Sequence, residues 1–149
     1  MLGEFLYELT PRDMQQSWLD PVIITSNGLT AASVVTASYE VPVGRCLLLR
    51  SSVANADAGG AQTVDRVTLE LLPPDESNIA IAISEKISSN VGTSATSKVS
   101  MNTEWSGEVV VPQEWTVRAR GNFSAAVSAN SIELHVVGLL IPIGNIQRI

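Results

Sequence analysis

Val64-Asp65-Arg66-Val67-Thr68-Leu69-Glu70-Leu71-Leu72, followed at once by Pro73-Pro74, decides the fold. Val67, Leu69 and Leu71 occupy every second position, with Arg66, Thr68 and Glu70 between them. A two-residue period is that of a strand, whose side chains point alternately to its two sides, so this segment reads as a half-buried strand. Pro73-Pro74-Asp75-Glu76-Ser77-Asn78 stops it, because proline cannot donate to a ladder and Asp, Ser and Asn favour turns. Beyond the stop, Ile79, Ile81 and Ile83 alternate with Ala80, Ala82 and Ser84, which predicts a second strand with one apolar face.

The same texture extends in both directions. Toward the N-terminus, Asn55 to Gly60 reads as a loop of small residues and Arg45 to Val53 as a fully buried strand. Glu40 to Gly44 reads as a turn, Ser33 to Tyr39 as a strand, and Ser26-Asn27-Gly28 as a turn closing the strand Val22 to Thr25. Toward the C-terminus, Ser88 to Ser97 is a polar connection, and strands resume at Lys98 to Trp105, Gly107 to Pro112, Trp115 to Arg120 and Ile132 to Ile141. About eight to ten short strands at this spacing predict an all-β, antiparallel β-sandwich or barrel over residues 21–149. One internal echo accompanies them: Val41-Pro42 and Val111-Pro112 each precede a strand that ends near an arginine, Arg50 and Arg120.

Residues 1–20 differ. Leu2, Phe5, Leu6 and Leu9 form an apolar strip, and Thr10-Pro11 has the N-cap and first-position chemistry of a short helix with Met14 and Trp18 on one face. So short a segment holds no core of its own. It is expected to be an arm that docks either on its own domain or on a neighbouring subunit.

Composition favours the neighbour. Only 16% of the 149 residues are charged, against 45% apolar, so a lone small domain would struggle to cover itself with polar groups. Another chain covering part of the surface resolves this. Leu2, Phe5, Leu6, Leu9 and Trp18 at one end, with Ile146 and Ile149 at the other, are therefore the expected interface residues. The net charge of −6 repels phosphate backbones and anionic lipid, so direct nucleic-acid or membrane partners are not expected. The longest apolar run, Leu134 to Ile143, is too short to cross a bilayer and contains His135, Gly138 and Pro142. A soluble protein is expected, without a targeting segment at Met1 to Leu9, where Glu4 and Glu8 interrupt the apolar residues.

Catalysis and metal binding need clustered, tunable groups. The single Cys46 lies in the apolar run to Leu49, and the single His135 lies in Leu134-His135-Val136-Val137. Both read as packed strand residues rather than a nucleophile and its base. Zinc would require more Cys or His, Asp57-Ala58-Gly59-Gly60 lacks the alternating oxygens of a calcium loop, and Asp75-Glu76 reads as a solvated turn. No catalytic, metal or cofactor-binding residue is expected. Trp18, Trp105 and Trp115 are the remaining distinctive residues; Trp105 and Trp115 read as packing at sheet ends, with a sugar platform as the competing reading.

Tyr39-Glu40-Val41-Pro42-Val43-Gly44-Arg45, Trp105-Ser106-Gly107-Glu108-Val109-Val110-Val111-Pro112 and Val137-Gly138-Leu139-Leu140-Ile141-Pro142-Ile143-Gly144-Asn145 resemble segments of the β-sandwich virion proteins of tailed bacteriophages. The resemblance covers about residues 33 to 145 in texture. It implies a jelly-roll-like module, a homo-oligomer and often a trimer, that decorates or cements a capsid by reaching with its termini to neighbours or to the major capsid protein. The alternative it implies is a fibre, spike or baseplate module that binds a receptor or carbohydrate. Either would be made in the host cytoplasm and end in the virion, and neither carries family active-site residues to match here.

Overall fold

The computed structural model describes residues 7–9, 20–30, 32–58, 63–75, 79–91, 100–124, 130–143 and 146–148. The strands are β1 (Tyr7–Leu9), β2 (Asp20–Thr30), β3 (Val34–Glu40), β4 (Arg45–Asp57), β5 (Thr63–Leu72), β6 (Ile81–Val91), β7 (Ser100–Val111), β8 (Thr116–Phe123), β9 (Asn130–Pro142) and β10 (Ile146–Arg148). Among the described residues there is no α-helix. The expected arm helix begins at Thr10-Pro11 and includes Trp18; it lies outside the described residues.

Two four-stranded sheets have the orders β2-β9-β4-β7 and β3-β8-β5-β6. All pairings are antiparallel. The partners β2:β9, β3:β8, β4:β7 and β5:β6 nest inside one another, like one long hairpin rolled up so that successive pairs fall alternately into the two sheets. That is the double Greek key of a jelly roll. The sandwich expected from the alternation is therefore present, with the jelly-roll order. Between the sheets lies a core that includes Leu47, Leu49, Val67, Leu69, Val111, Val117, Ile132, Leu134 and Val136, none more than 1% exposed.

Two bulges set which residues enter that core. At Arg50 the β4 register shifts against both neighbours, so Leu47 and Leu49 face inward before it and Ser52, Ala54 and Ala56 after it. The predicted fully buried strand is thus an alternating one with Arg50 exposed, and the predicted loop at Asn55–Asp57 is its continuation. Beside this bulge a Cβ on Gly138 would lie 2.3 Å from the carbonyl oxygen of Leu48, so only glycine fits. On β5 the shift at Asp65 turns Val64 inward together with Val67, Leu69 and Leu71.

Where the two sheets meet, the edges lie against each other. Gly28 of β2 sits where a Cβ would be 2.2 Å from the carbonyl oxygen of Thr36 on β3. The predicted turn at Ser26-Asn27-Gly28 does not exist: Asn27 pairs with Glu133 and Gly28 with Ile132 inside a continuous strand. Glycine is used there for close approach rather than for a left-handed backbone. At the opposite seam, Ser84 Oγ of β6 donates to the Glu104 carbonyl of β7 at 2.9 Å and lies 2.5 Å from Thr103 Oγ1.

At one end of the roll the turns are short and bonded together. Val41 N–H donates to the Trp115 carbonyl and Glu114 N–H to the Val41 carbonyl, each at 2.8 Å. Gly44, at φ 82, donates to Gln113 Oε1 at 2.9 Å and accepts from Ile143 N–H at 3.0 Å. The Val41-Pro42 and Val111-Pro112 echo thus marks two adjacent turns. From this turn end the chain enters β2 and leaves β9, and β1 pairs with β10 in a separate two-stranded ribbon.

Candidate functional site

The residues with catalytic potential are kept apart. Cys46 is 4% exposed, and burial pushes its thiol up to about 11, well away from a reactive thiolate. It pairs with Ile141, whereas His135 pairs with Val53 six positions back along β9, a separation of roughly 20 Å at the strand rise. His135 is half-buried and its Nε2 meets the Glu133 carboxylate. No dyad forms. Among the described residues no three His, Cys, Asp or Glu side chains are grouped to hold a metal, and no helix is long and apolar enough to cross a membrane. Asp57 accepts from Ser100 at the start of β7.

Trp105 and Trp115 are partly buried and pack against the core. Of the polar connection at Ser88 to Ser97, Ser88–Val91 belongs to β6 and the rest lies outside the described residues. Of the expected interface residues, Leu9 and Ile146 stand directly opposite each other in the ribbon. Leu2, Phe5, Leu6, Trp18 and Ile149 lie outside the described residues.

The most developed polar arrangement lies on the outer face of β3-β8-β5-β6, and no motif announced it. The register lays out successive rows on this face. They are Glu40–Thr116–Leu72 nearest the turn end, Ser38–Arg118–Glu70, Thr36–Arg120–Thr68, and Val34–Asn122–Arg66. Glu70 is 1% exposed although it points away from the core. Two arginines cover it. Arg118 Nε and Nη2 donate to Oε2 at 2.8 and 2.6 Å, and Arg120 Nη2 donates to Oε1 at 2.8 Å. Both carboxylate oxygens therefore receive charge-assisted hydrogen bonds from arginine. Arg66 pairs separately with Glu85 at 3.0 Å. Under this layer Thr68 Oγ1, Arg120 Nε and Asn122 Oδ1 are buried without a hydrogen-bond partner.

Toward the turn end this face hollows into a concavity of about 520 Å³. Its lining includes the hydroxyls of Thr36, Ser38 and Thr116 and the carboxylates of Glu40, Asp75 and Glu114, with Arg118 at its inner side. Asp75 and Glu114 hold left-handed backbones, φ 60 and 66, unusual for residues with a side chain. Among the described residues no aromatic side chain lines the hollow.

No family model matches the chain, and no curated protein matches it. Among solved structures it is similar to a chain of Sulfolobus Turreted Icosahedral Virus, at 14% identity over 87% of this chain and 30% of that one, TM-score 0.48. It is also similar to an alpha-amino acid ester hydrolase, at 12% identity over 74% of this chain and 25% of that one, TM-score 0.43. A third likeness is to PirA, at 10% identity over 83% of this chain and 98% of that one, TM-score 0.37. The chain thus spans less than a third of the first two structures it resembles. At such identities these likenesses bear on neither activity nor partners.

Proposed function

We propose that this protein is a non-catalytic structural component of a virion, a cement or decoration protein that stabilises a capsid shell as a homo-oligomer. The observation that carries the reading is the nested strand order β2-β9-β4-β7 over β3-β8-β5-β6, the jelly roll used by many viral shell proteins. Fold alone does not dictate function, so the surface matters as well. The route of the chain supports attachment through the turn end. β2 begins and β9 ends there, the terminal segments pair as a ribbon outside both sheets, and Val43 and Ile79 are 73% and 54% exposed. A three-pair ribbon is not stable in water by itself, so a neighbouring surface that supports it fits the geometry. The partners in this reading are further copies of the chain, as a trimer, and the major capsid protein, with synthesis in the host cytoplasm and final residence on the capsid surface.

Removal of residues 1–20 tests it. The shortened protein should keep its β-sheet circular dichroism but bind particles at least about tenfold more weakly, a loss matching one or two buried apolar side chains. Undiminished attachment by the truncated protein overturns the reading.

A further inference from the structure

We infer that the outer face of β3-β8-β5-β6 is a self-association surface, on which the carboxylates at the turn end of one copy meet the Arg118–Arg120 pair of a second. This rests on the oligomeric reading above and specifies its surface.

The first argument is charge. Glu70 neutralises one of the two arginines that hold it, so the centre of the face keeps one uncompensated positive charge in a chain of net charge −6. Glu40, Asp75 and Glu114 stand at the turn end of the same face, exposed. Arg120 lies four residues along β8 from Thr116 in the Glu40 row, roughly 13 Å away. Two acidic copies repel one another in most orientations. An arrangement that lays the acidic end of one over the arginines of the other replaces that repulsion with attraction, and it fixes the direction of approach.

The second argument is preorganisation. Arginine ordinarily loses much side-chain freedom on docking, but Arg118 and Arg120 are already held by Glu70, so that cost falls in the folded monomer.

The third is the apolar flank. Val34 and Ile87 are 47% and 66% exposed and pair into the row farthest from the turn end. Copies laid in opposite directions bring that row against the Pro73-Pro74 turn, so apolar surface meets apolar surface where the charges meet their complements. Among the described residues no three carboxylates of the hollow are grouped to hold a metal, and none of its lining residues is aromatic.

Sedimentation equilibrium of the full chain at about 50 and about 500 mM salt, a range over which screening shortens from about 14 to about 4 Å, tests the inference. Wild type should associate, and less tightly at high salt. Glu40→Lys with Glu114→Lys should weaken association at least about tenfold, as should Arg120→Gln, whereas Arg120→Lys should retain most of it. Combining both sets should weaken it no further than the stronger alone, because they remove one contact. Glu104→Lys, at an exposed side chain of β7 in the other sheet, should leave it unchanged. If Arg120→Gln fails to fold, the surface pair at Glu40 and Glu114 decides alone. An oligomer indifferent to these variants, or equally weakened by Glu104→Lys, overturns this surface and leaves the oligomeric reading standing. A monomer at every salt concentration overturns both.

Discussion

Among the described residues each sheet buries side chains on its outer face, away from the core, and the two sets differ in chemistry: an apolar pair on one, and on the other a polar pair beside a single leucine. On β2-β9-β4-β7 the pair is Cys46 and Ile141, directly opposite each other and 4% and 2% exposed. On β3-β8-β5-β6 the polar pair is Thr68 and Glu70, 2% and 1% exposed, with Leu72 beyond them at 6%. Meanwhile Val137, an apolar residue on the first of these faces, is 38% exposed. Alternation therefore tells which side of a strand a residue occupies and leaves its burial open. Burial on an outer face is decided by what lies across it, and for Glu70 that cover is two arginine stems from the neighbouring strand.

The sharpest way to break the comparison is to strip the polar pair of its cover. Arg118→Met should cost about 3–5 kcal/mol in urea unfolding, because it leaves a buried carboxylate with a single ionic partner. A loss below about 1 kcal/mol would mean that Glu70 is effectively solvated. The apolar pair is tested through pH. Burial raises the Cys46 thiol to about 11, so its contribution to stability is complete below its unfolded pKa near 9 and is lost as pH climbs through 11. Wild type should lose on the order of 2 kcal/mol relative to Cys46→Ala between those limits, and parallel pH profiles of the two proteins would contradict the burial. The smallest effect is expected at the half-exposed histidine. His135→Asn should shift stability by less than about 0.5 kcal/mol, measured by thermal melting, since its contact with Glu133 is exposed to solvent.

The strands themselves were largely legible in the sequence. Val67, Leu69 and Leu71 alternate and are buried as read, and β7, β8 and β9 occupy nearly the predicted segments, although β7 is one strand where two were expected. The misreadings share a physical cause, local signals with two meanings. Asn27-Gly28 looks like a turn, yet Gly28 is there because Thr36 passes too close for a side chain. Ala54 and Ala56 look like loop, yet their small size fits the inner face of β4 beyond a bulge. Bulges at Arg50 and Asp65 insert one residue each and reverse the inside and outside of everything beyond them, and no residue type announces them. The polar face was invisible for a related reason. Arg118 and Arg120 are two apart in the sequence, but Glu70 becomes their partner only once β5 is known to lie beside β8.

The nested pairing also dictates when the molecule can finish folding. β5 and β6 are neighbours in sequence and can join early, but Thr30 at the end of β2 waits for Asn130, one hundred residues later. At ribosomal rates of about 5–20 residues per second, β2 spends roughly 5–20 s without its partner. Closure of the outermost pair is then the step most exposed to misassociation, as expected where distant segments must meet before any contact rewards them. The order in which partners become available therefore runs from the innermost hairpin outward, with β2 and β9 the last pair of the two sheets that can close.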